Sequence, residues 1–255
     1  MSSRRLRLLA VPEQTCSYLP DRSSRSLFID PDARMDAATY AGLLAQGFRR
    51  SGQHVYRPGC RGCRACQPTR IPVSVFSPNR AQRRCRRRNA DLVATAVTRL
   101  DDEHAALYAR YQRHRHTGGP MQTDSIADIE AFLCCDWLAT ELREFRLNGE
   151  LLAVSATDRV PGALSAVYSF FDPDRAERSL GRYCVLDQVE RACELGLDHL
   201  YLGYTVAGCR KMAYKAEYRP AQVHDGRGWV DCPDGVPLDP VAGPDRSDPA
   251  TAETR

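Results

Sequence analysis

The stretch EFRLNGELLAVSATDRVPGALSAVYSFFD, residues 144–172, decides the fold. It contains three runs of strand-forming residues, separated by Asn148-Gly149 and by Pro161-Gly162. Asn and Gly tolerate the positive φ that two-residue hairpin turns require, so the stretch predicts three successive strands. Upstream, LVATAVTRL (92–100) reads as a strand and DDEHAALYARYQRHRH (101–116) as a helix stopped at Thr117, Gly118 and Gly119. SIADIEAFLCC (125–135) carries a capping box from Ser125 to Asp128 ahead of apolar Ile126, Ile129 and Leu133. Downstream, GRYCVLDQVERACELGL (181–197) is an amphipathic helix with Leu186, Val189 and Cys193 on its apolar side. HLYLGYTV then reads as a strand, CRKMAYKAEY as a short helix and AQVHDGRGWVDC as extended chain.

The resulting order, β-α-α-β-β-β-α-β-α-β, resembles that of the acyl-CoA N-acyltransferase (GNAT) fold. That likeness implies an α+β, GNAT-like acyltransferase domain in which two central strands splay apart and an amide forms in the gap. The predicted organisation is a small N-terminal cysteine-containing subdomain over residues 1–76, the transfer domain over 77–235 and a disordered tail over 236–255. Within the first part, residues 36–47 read as a helix, with Tyr40, Leu43 and Leu44 at helical spacing and Gly47 as its stop.

The 255 residues suffice for one large domain or two small ones. No apolar run approaches the ~18 residues a membrane span needs. The basic start MSSRRLRLLAVPEQ has its short apolar run ended by Pro12 and Glu13, so no signal-peptide core forms. These features predict a cytoplasmic protein without membrane partners. In that setting, 11 cysteines indicate reduced thiols or a metal site rather than disulfides.

CRGCRAC (60–66) has C-x2-C-x2-C spacing, and Cys60, Cys63 and Cys66 could converge with Cys16 on zinc or an iron–sulfur cluster. The alternative is a set of free thiols, and Cys85 is a further candidate ligand. Cys134, Cys135, Cys184, Cys193 and Cys209 stand at apolar positions and read as small core residues.

Net charge is only +4, yet RAQRRCRRR (80–88) holds six arginines and no acid. Ser77 as N-cap and Pro78 as first residue predict a helix there, with Arg80, Arg83, Arg84 and Arg87 on one face. Such a face is either solvated or bound to a polyanion, which would relieve the mutual repulsion and release counterions. In the run Arg178-Ser-Leu-Gly181-Arg182-Tyr183, a loop opens the long helix, where unpaired amides favour phosphate. A plain turn is the competing reading, and bulky Tyr183 argues against coenzyme A. YSFF (168–171) serves either core or pocket wall. Lys211 and Lys215 are the only two lysines among 36 basic residues. On one helix they would share a face with Arg210 adjoining, and a compact ammonium suits a single phosphate or carboxylate oxygen.

The segments CSYLPDR, GFRRSGQHVYRPGCRGCRACQPTRIPV, QRRCRRRN, YSFFDPD, RSLGRY, LGLDHLYLGY and GCRKMAYKAEYRP, together, resemble the arginyl/leucyl-tRNA–protein transferase family, most closely its bacterial leucyl branch. Leu19, where the eukaryotic arginyl branch has a cysteine, favours the leucyl branch, and Thr205-Val206 stands where the family has Trp-Ile. The resemblance implies transfer of leucine from leucyl-tRNA to proteins with N-terminal Asp or Glu, which marks them for degradation. The candidate catalytic residues are Tyr168, Tyr204, Lys211 and Lys215, with the general base left open between a pocket carboxylate and a tyrosine, and the candidate tRNA or substrate contacts are Arg80, Arg83, Arg84, Arg87, Arg178, Gly181, Arg182 and Arg210. An aminoacyl ester is already activated, so no cofactor is required for transfer, and no G-x-x-x-x-G-K-[ST] motif is present. Three readings stay open beside it: an arginyl donor, a coenzyme A-dependent acetyltransferase, and a metal-cysteine RNA-binding module.

Overall fold

The computed structural model describes residues 5–115, 123, 125–206, 208–232 and 234. The helix stop expected at Thr117–Gly119 and the tail expected over 236–255 lie outside them. The chain opens with β1 (Leu8–Ala10), β2 (Gln14–Thr15), β3 (Ser23–Ser24), β4 (Ser26–Ile29), α1 (Ala37–Ala45), β5 (Arg49–Ser51) and β6 (His54–Pro58). Strands β1, β4, β6 and β5 form a four-stranded sheet in that order. Next come β7 (Cys66–Pro72), α2 (Arg80–Arg88), β8 (Val93–Val97), α3 (Asp102–Arg115) and α4 (Ile126–Leu133). Three long strands follow, β9 (Thr140–Leu147), β10 (Glu150–Val160) and β11 (Ala163–Phe171), then α5 (Leu180–Glu194), β12 (His199–Val206), α6 (Arg210–Ala213), β13 (Ala221–His224) and β14 (Trp229–Cys232).

The main sheet has eight strands in the order β14-β13-β7-β12-β11-β10-β9-β8. The expected turns hold: Asn148 and Gly149 take φ of 49° and 89°, the left-handed pair of a two-residue hairpin turn. Strand β10 is buried on both faces, which explains its nearly continuous apolar run. Its Leu151 and Val154 join Tyr108, Ile129 and Leu133 of α3 and α4. Its Leu152 and Ala153 join Leu180 and Cys184 of α5. Each such aliphatic side chain contributes about 1.5–3 kcal/mol on burial.

Several expectations need correction. Cys66–Pro72, which falls before the expected boundary at residue 76, is an interior strand of the main sheet between β12 and β13. The strand stops at Pro72, because Val73–Val75 forms a 3-10 turn. The arginine helix starts at Asn79, not at Ser77. Asn79 accepts from the Gln82 amide while the Gln82 side chain accepts from the Asn79 amide at 2.8 Å, a reciprocal box that Ser77 lacks. Ser125 caps α4 by accepting from Asp128 N, but its own amide goes to Thr123 Oγ1. On α5, Cys193 is exposed and Ala192 is the buried residue one turn beyond Val189. Cys134 and Cys135 are half-buried, whereas Cys184 and Cys209 are core residues as expected.

Candidate active site

Strands β11 and β12 are parallel and pair only at their start, Ala163 with His199 through Ser165 with Tyr201. Beyond that point β11 keeps only β10, and β12 keeps only β7. A gap opens between two strand ends whose inward backbone groups have lost their ladder partners. Arg49, the first residue of β5, enters this gap. Its Nη2 donates to Ala166 O at 2.7 Å and more weakly to Val167 O at 3.5 Å. Opposite it, Gly203 has φ of +82°, and a Cβ there would lie 1.9 Å from Arg49 Nη1. Only glycine admits the guanidinium. The motif GFRRSGQ gives Arg49 no role by itself; its one signal in the sequence is that two arginines stand side by side.

Lys215 borders the same gap. Its Nζ donates to Tyr204 O at 2.8 Å, next along β12 from Gly203, and its side chain is buried. Burial first, then the Arg49 charge, brings the ammonium down to about 7. Lys211 does not share its face, contrary to expectation. Helix α6 ends at Ala213 and the chain tightens into a 3-10 turn over Tyr214–Glu217, so the four-residue spacing no longer aligns the two amines. Lys211 is exposed and donates to Arg115 O at 3.2 Å. Arg210 opens α6 beside it.

Neither expected tyrosine is poised to take a proton. Tyr204 is buried and donates its hydroxyl to Gly47 O at 2.9 Å, pinning the turn that leads into β5. Burial holds its phenol well above the ordinary range. Tyr168 accepts from Gln112 Nε2 at 3.0 Å, and burial followed by Tyr111 raises it too. Tyr168 packs edge-on against Phe132 and Tyr111, which places it against the core formed with α3 and α4.

At the rim, α5 begins at Ser179 in the left-handed region with no side-chain cap. Gly181 is required by packing, since a Cβ there would come within 2.8 Å of the Phe171 ring. Arg178 forms a paired contact with Asp91, both nitrogens at 2.9 Å, and Arg182 pairs with Glu217 at 2.5 Å. These two arginines are occupied by carboxylates. Tyr183 turns inward against Phe145, with ring centroids 5.6 Å apart, and so is not the obstacle at the loop that its bulk implied. Arg80, Arg83, Arg84 and Arg87 of α2 are all exposed, whereas Cys85 is buried on the opposite side and donates toward Ser179 O. That excludes Cys85 from a metal set with the N-terminal cysteines.

Cys16, Cys60, Cys63 and Cys66 line one cavity of about 610 Å³, together with Tyr204 and Val206 from the end of β12. Burial, then Cys60, Cys16 and Cys63 in turn, push the Cys66 thiol up to about 12. Cys60 Sγ accepts from Arg25 N at 3.5 Å and Cys63 Sγ from Arg22 Nη1 at 3.3 Å. Among the described residues no three His, Cys, Asp or Glu side chains converge as a metal-binding set. The four thiols thus share a cavity without converging on one point among the described residues.

The gap between the parted parallel strands is thus floored by the Arg49 guanidinium and bordered by the Lys215 amine. The chain matches the family described as arginine-tRNA-protein transferase, its N terminus over residues 14–84 and its C terminus over residues 103–225, and it belongs to that family. Among curated relatives, the aspartate/glutamate leucyltransferase of Pseudomonas fluorescens is 46% identical over 227 residues, 89% of this chain and 97% of that protein. Those of Stutzerimonas stutzeri and Halorhodospira halophila are each 48% identical, covering 90% of this chain and 98% of theirs. The solved structure of L-PGS from Bacillus licheniformis matches 55% of this chain and 45% of its own at 8% identity and a TM-score of 0.43, too distant to carry an argument.

Proposed function

We infer that this chain is an aminoacyltransferase that carries leucine from leucyl-tRNA to the N-terminal amine of proteins beginning with Asp or Glu. One observation carries the reading: 46–48% identity across about nine-tenths of the chain to enzymes named aspartate/glutamate leucyltransferase. The parted strands support the finer, GNAT-like description of the fold, with donor ester and acceptor amine meeting in the gap.

Lys215 is assigned as the proton acceptor, because burial makes its neutral amine available near pH 7. The acceptor α-ammonium gives it a proton, and the freed nitrogen attacks the ester carbonyl carbon. The bond from that carbon to the terminal ribose oxygen breaks, the second proton shed by the attacking nitrogen passes to this oxygen, and Lys215 returns the first to water. One amide replaces one ester, with no ATP and no redox change. Alignment of the two reactants in the gap contributes ~7 kcal/mol or more. Tyr168 and Tyr204 are assigned as positioning residues. Arg80, Arg83, Arg84 and Arg87 are assigned to the tRNA backbone, with Lys211 and Arg210 toward its acceptor end. Cytoplasmic location and the marking of products for degradation belong to the same proposal.

A zinc ion or iron–sulfur cluster at Cys16, Cys60, Cys63 and Cys66 is a separate proposal, supported by their shared cavity and by their soft donor chemistry. No step of the transfer runs through it. Metal and sulfide analysis of protein purified without air decides it: one centre per chain supports it and none overturns it.

The transfer reading is tested by incubating the protein with radiolabelled leucyl- or arginyl-tRNA and peptides beginning Asp, Glu, Arg or Lys. Leucine on the Asp and Glu peptides alone is expected. Arginine transfer, or no transfer together with tight acetyl-CoA binding, contradicts it.

A further inference from the structure

We propose that Arg49 selects the acceptor, its guanidinium taking the side-chain carboxylate of an incoming N-terminal Asp or Glu at the floor of the gap between β11 and β12. The proposal rests on the transfer reading above and assigns the residue that enforces its acidic specificity.

The geometry carries it. A guanidinium has five N–H donors. Arg49 uses Nη2 toward Ala166 O and Val167 O, and Nε and Nη1 make no hydrogen bond among the described residues. Its neighbour Arg50 is fully buried and paired with Asp158. Arg49 is only half-buried and pairs with no carboxylate among the described residues. Gly203 clears the space in front of Nη1. Lys215 Nζ sits on the next carbonyl of β12, that of Tyr204. The Arg49 guanidinium therefore faces the gap beside the Lys215 amine with no carboxylate paired to it among the described residues, an arrangement costly in a partly desolvated site until an anion arrives. A planar fork with donors to spare matches a carboxylate in both shape and charge.

The competing role is mechanical. Ala166 O has lost its ladder partner at the splay, and Arg49 replaces it. A strut needs one N–H, however, and neither the spare donors nor the excluded Cβ at Gly203.

The test uses full-length protein, radiolabelled leucyl-tRNA and two peptides that differ only in N-terminal Asp or Asn. For the native protein kcat/KM favours Asp by ~10-fold or more, the weight of a charge-assisted contact. Arg49→Gln and Gly203→Ala, the latter displacing the guanidinium, bring that ratio toward one, while leucyl-tRNA affinity by filter binding stays unchanged. Equal loss on both peptides shows a strut and overturns the proposal. Should the variants fail to fold, phenylglyoxal labelling of the native protein, mapped by mass spectrometry, still decides it. Protection of Arg49 by the Asp peptide and not by the Asn peptide is expected, and equal protection or none overturns it. Absence of leucine transfer to any peptide by the native protein would instead remove the transfer reading itself.

Discussion

Arg50 Nε donates to Asp158 Oδ2 at 2.7 Å, with neither side chain exposed to solvent. Arg50 belongs to β5 and Asp158 to β10, so one ion pair fastens the N-terminal sheet to the main one. Thr140 Oγ1, Leu133 O and Gly52 O also accept from the guanidinium, at 2.8, 2.7 and 3.2 Å. The pair also fixes its neighbour Arg49 in the gap, since adjacent strand residues point to opposite faces.

Asp158→Ala leaves Arg50 charged, buried and without its carboxylate, and is expected to cost about 3–5 kcal/mol of stability. A urea titration followed by far-ultraviolet circular dichroism measures it. The double variant Arg50→Met with Asp158→Leu is expected to recover most of the loss; a loss equal to the sum of the single effects would show that the pair is not coupled.

Stability should also depend on pH through Lys215. Its folded value is about 7 against an ordinary 10.5, so between these the unfolded chain holds the proton and the folded chain does not. Stability therefore rises with pH across this window, by an amount on the order of a few kcal/mol. Buried thiols act oppositely at the alkaline end: Cys66, raised by burial, favours the folded state only in its protonated form. The difference between the native protein and Lys215→Met isolates the lysine, and a difference flat from pH 7 to 10 would refute the assignment.

Elements governed by local chemistry are legible in the amino-acid order alone. Asn148-Gly149 dictates its hairpin, and His199–Val206 is the strand that its apolar run predicts. What escapes such reading depends on distant pairing. Cys66–Pro72 contains Pro68 and Pro72, residues that ordinarily mark a strand as an edge. It is interior because β12, more than a hundred residues away in sequence, pairs with it from Pro72–His199 to Cys66–Val206. Arg49 gains its role only because β11 and β12 part where they do. The lysine spacing misleads for a related reason, since a helix too short to keep its period cannot align residues one turn apart.

The exposed arginines of α2 predict a salt-dependent contact with tRNA. Replacing Arg80, Arg83, Arg84 and Arg87 by Gln leaves the core of α2, Gln82 and Cys85, untouched. The fold should survive. Each phosphate contact contributes about 0.7–0.9 to the slope of log K against log salt, so the fourfold variant should flatten that slope by up to about 3.6. Filter binding of uncharged tRNA from 50 to 300 mM salt (roughly the useful range) measures it. An unchanged slope would make the face a solvated one.

The last prediction separates Lys215 from the tyrosines. If the lysine accepts the proton, transfer rises with pH through about 7, where its neutral form appears. Lys215→Met should lower kcat by ~10²–10⁴-fold, the usual weight of general-base assistance. The remaining pH dependence should then be that of the acceptor amine, ordinarily near 8. Tyr204→Phe behaves differently. It leaves Gly47 O without the hydroxyl that it accepts from, a buried loss of roughly 1–3 kcal/mol. Its effect should fall on stability and on the placement of β5, with the limb near pH 7 unmoved, because burial keeps the phenol protonated throughout. A shift of that limb in Tyr204→Phe, with none in Lys215→Met, would transfer the proton-accepting role from the amine to the phenol.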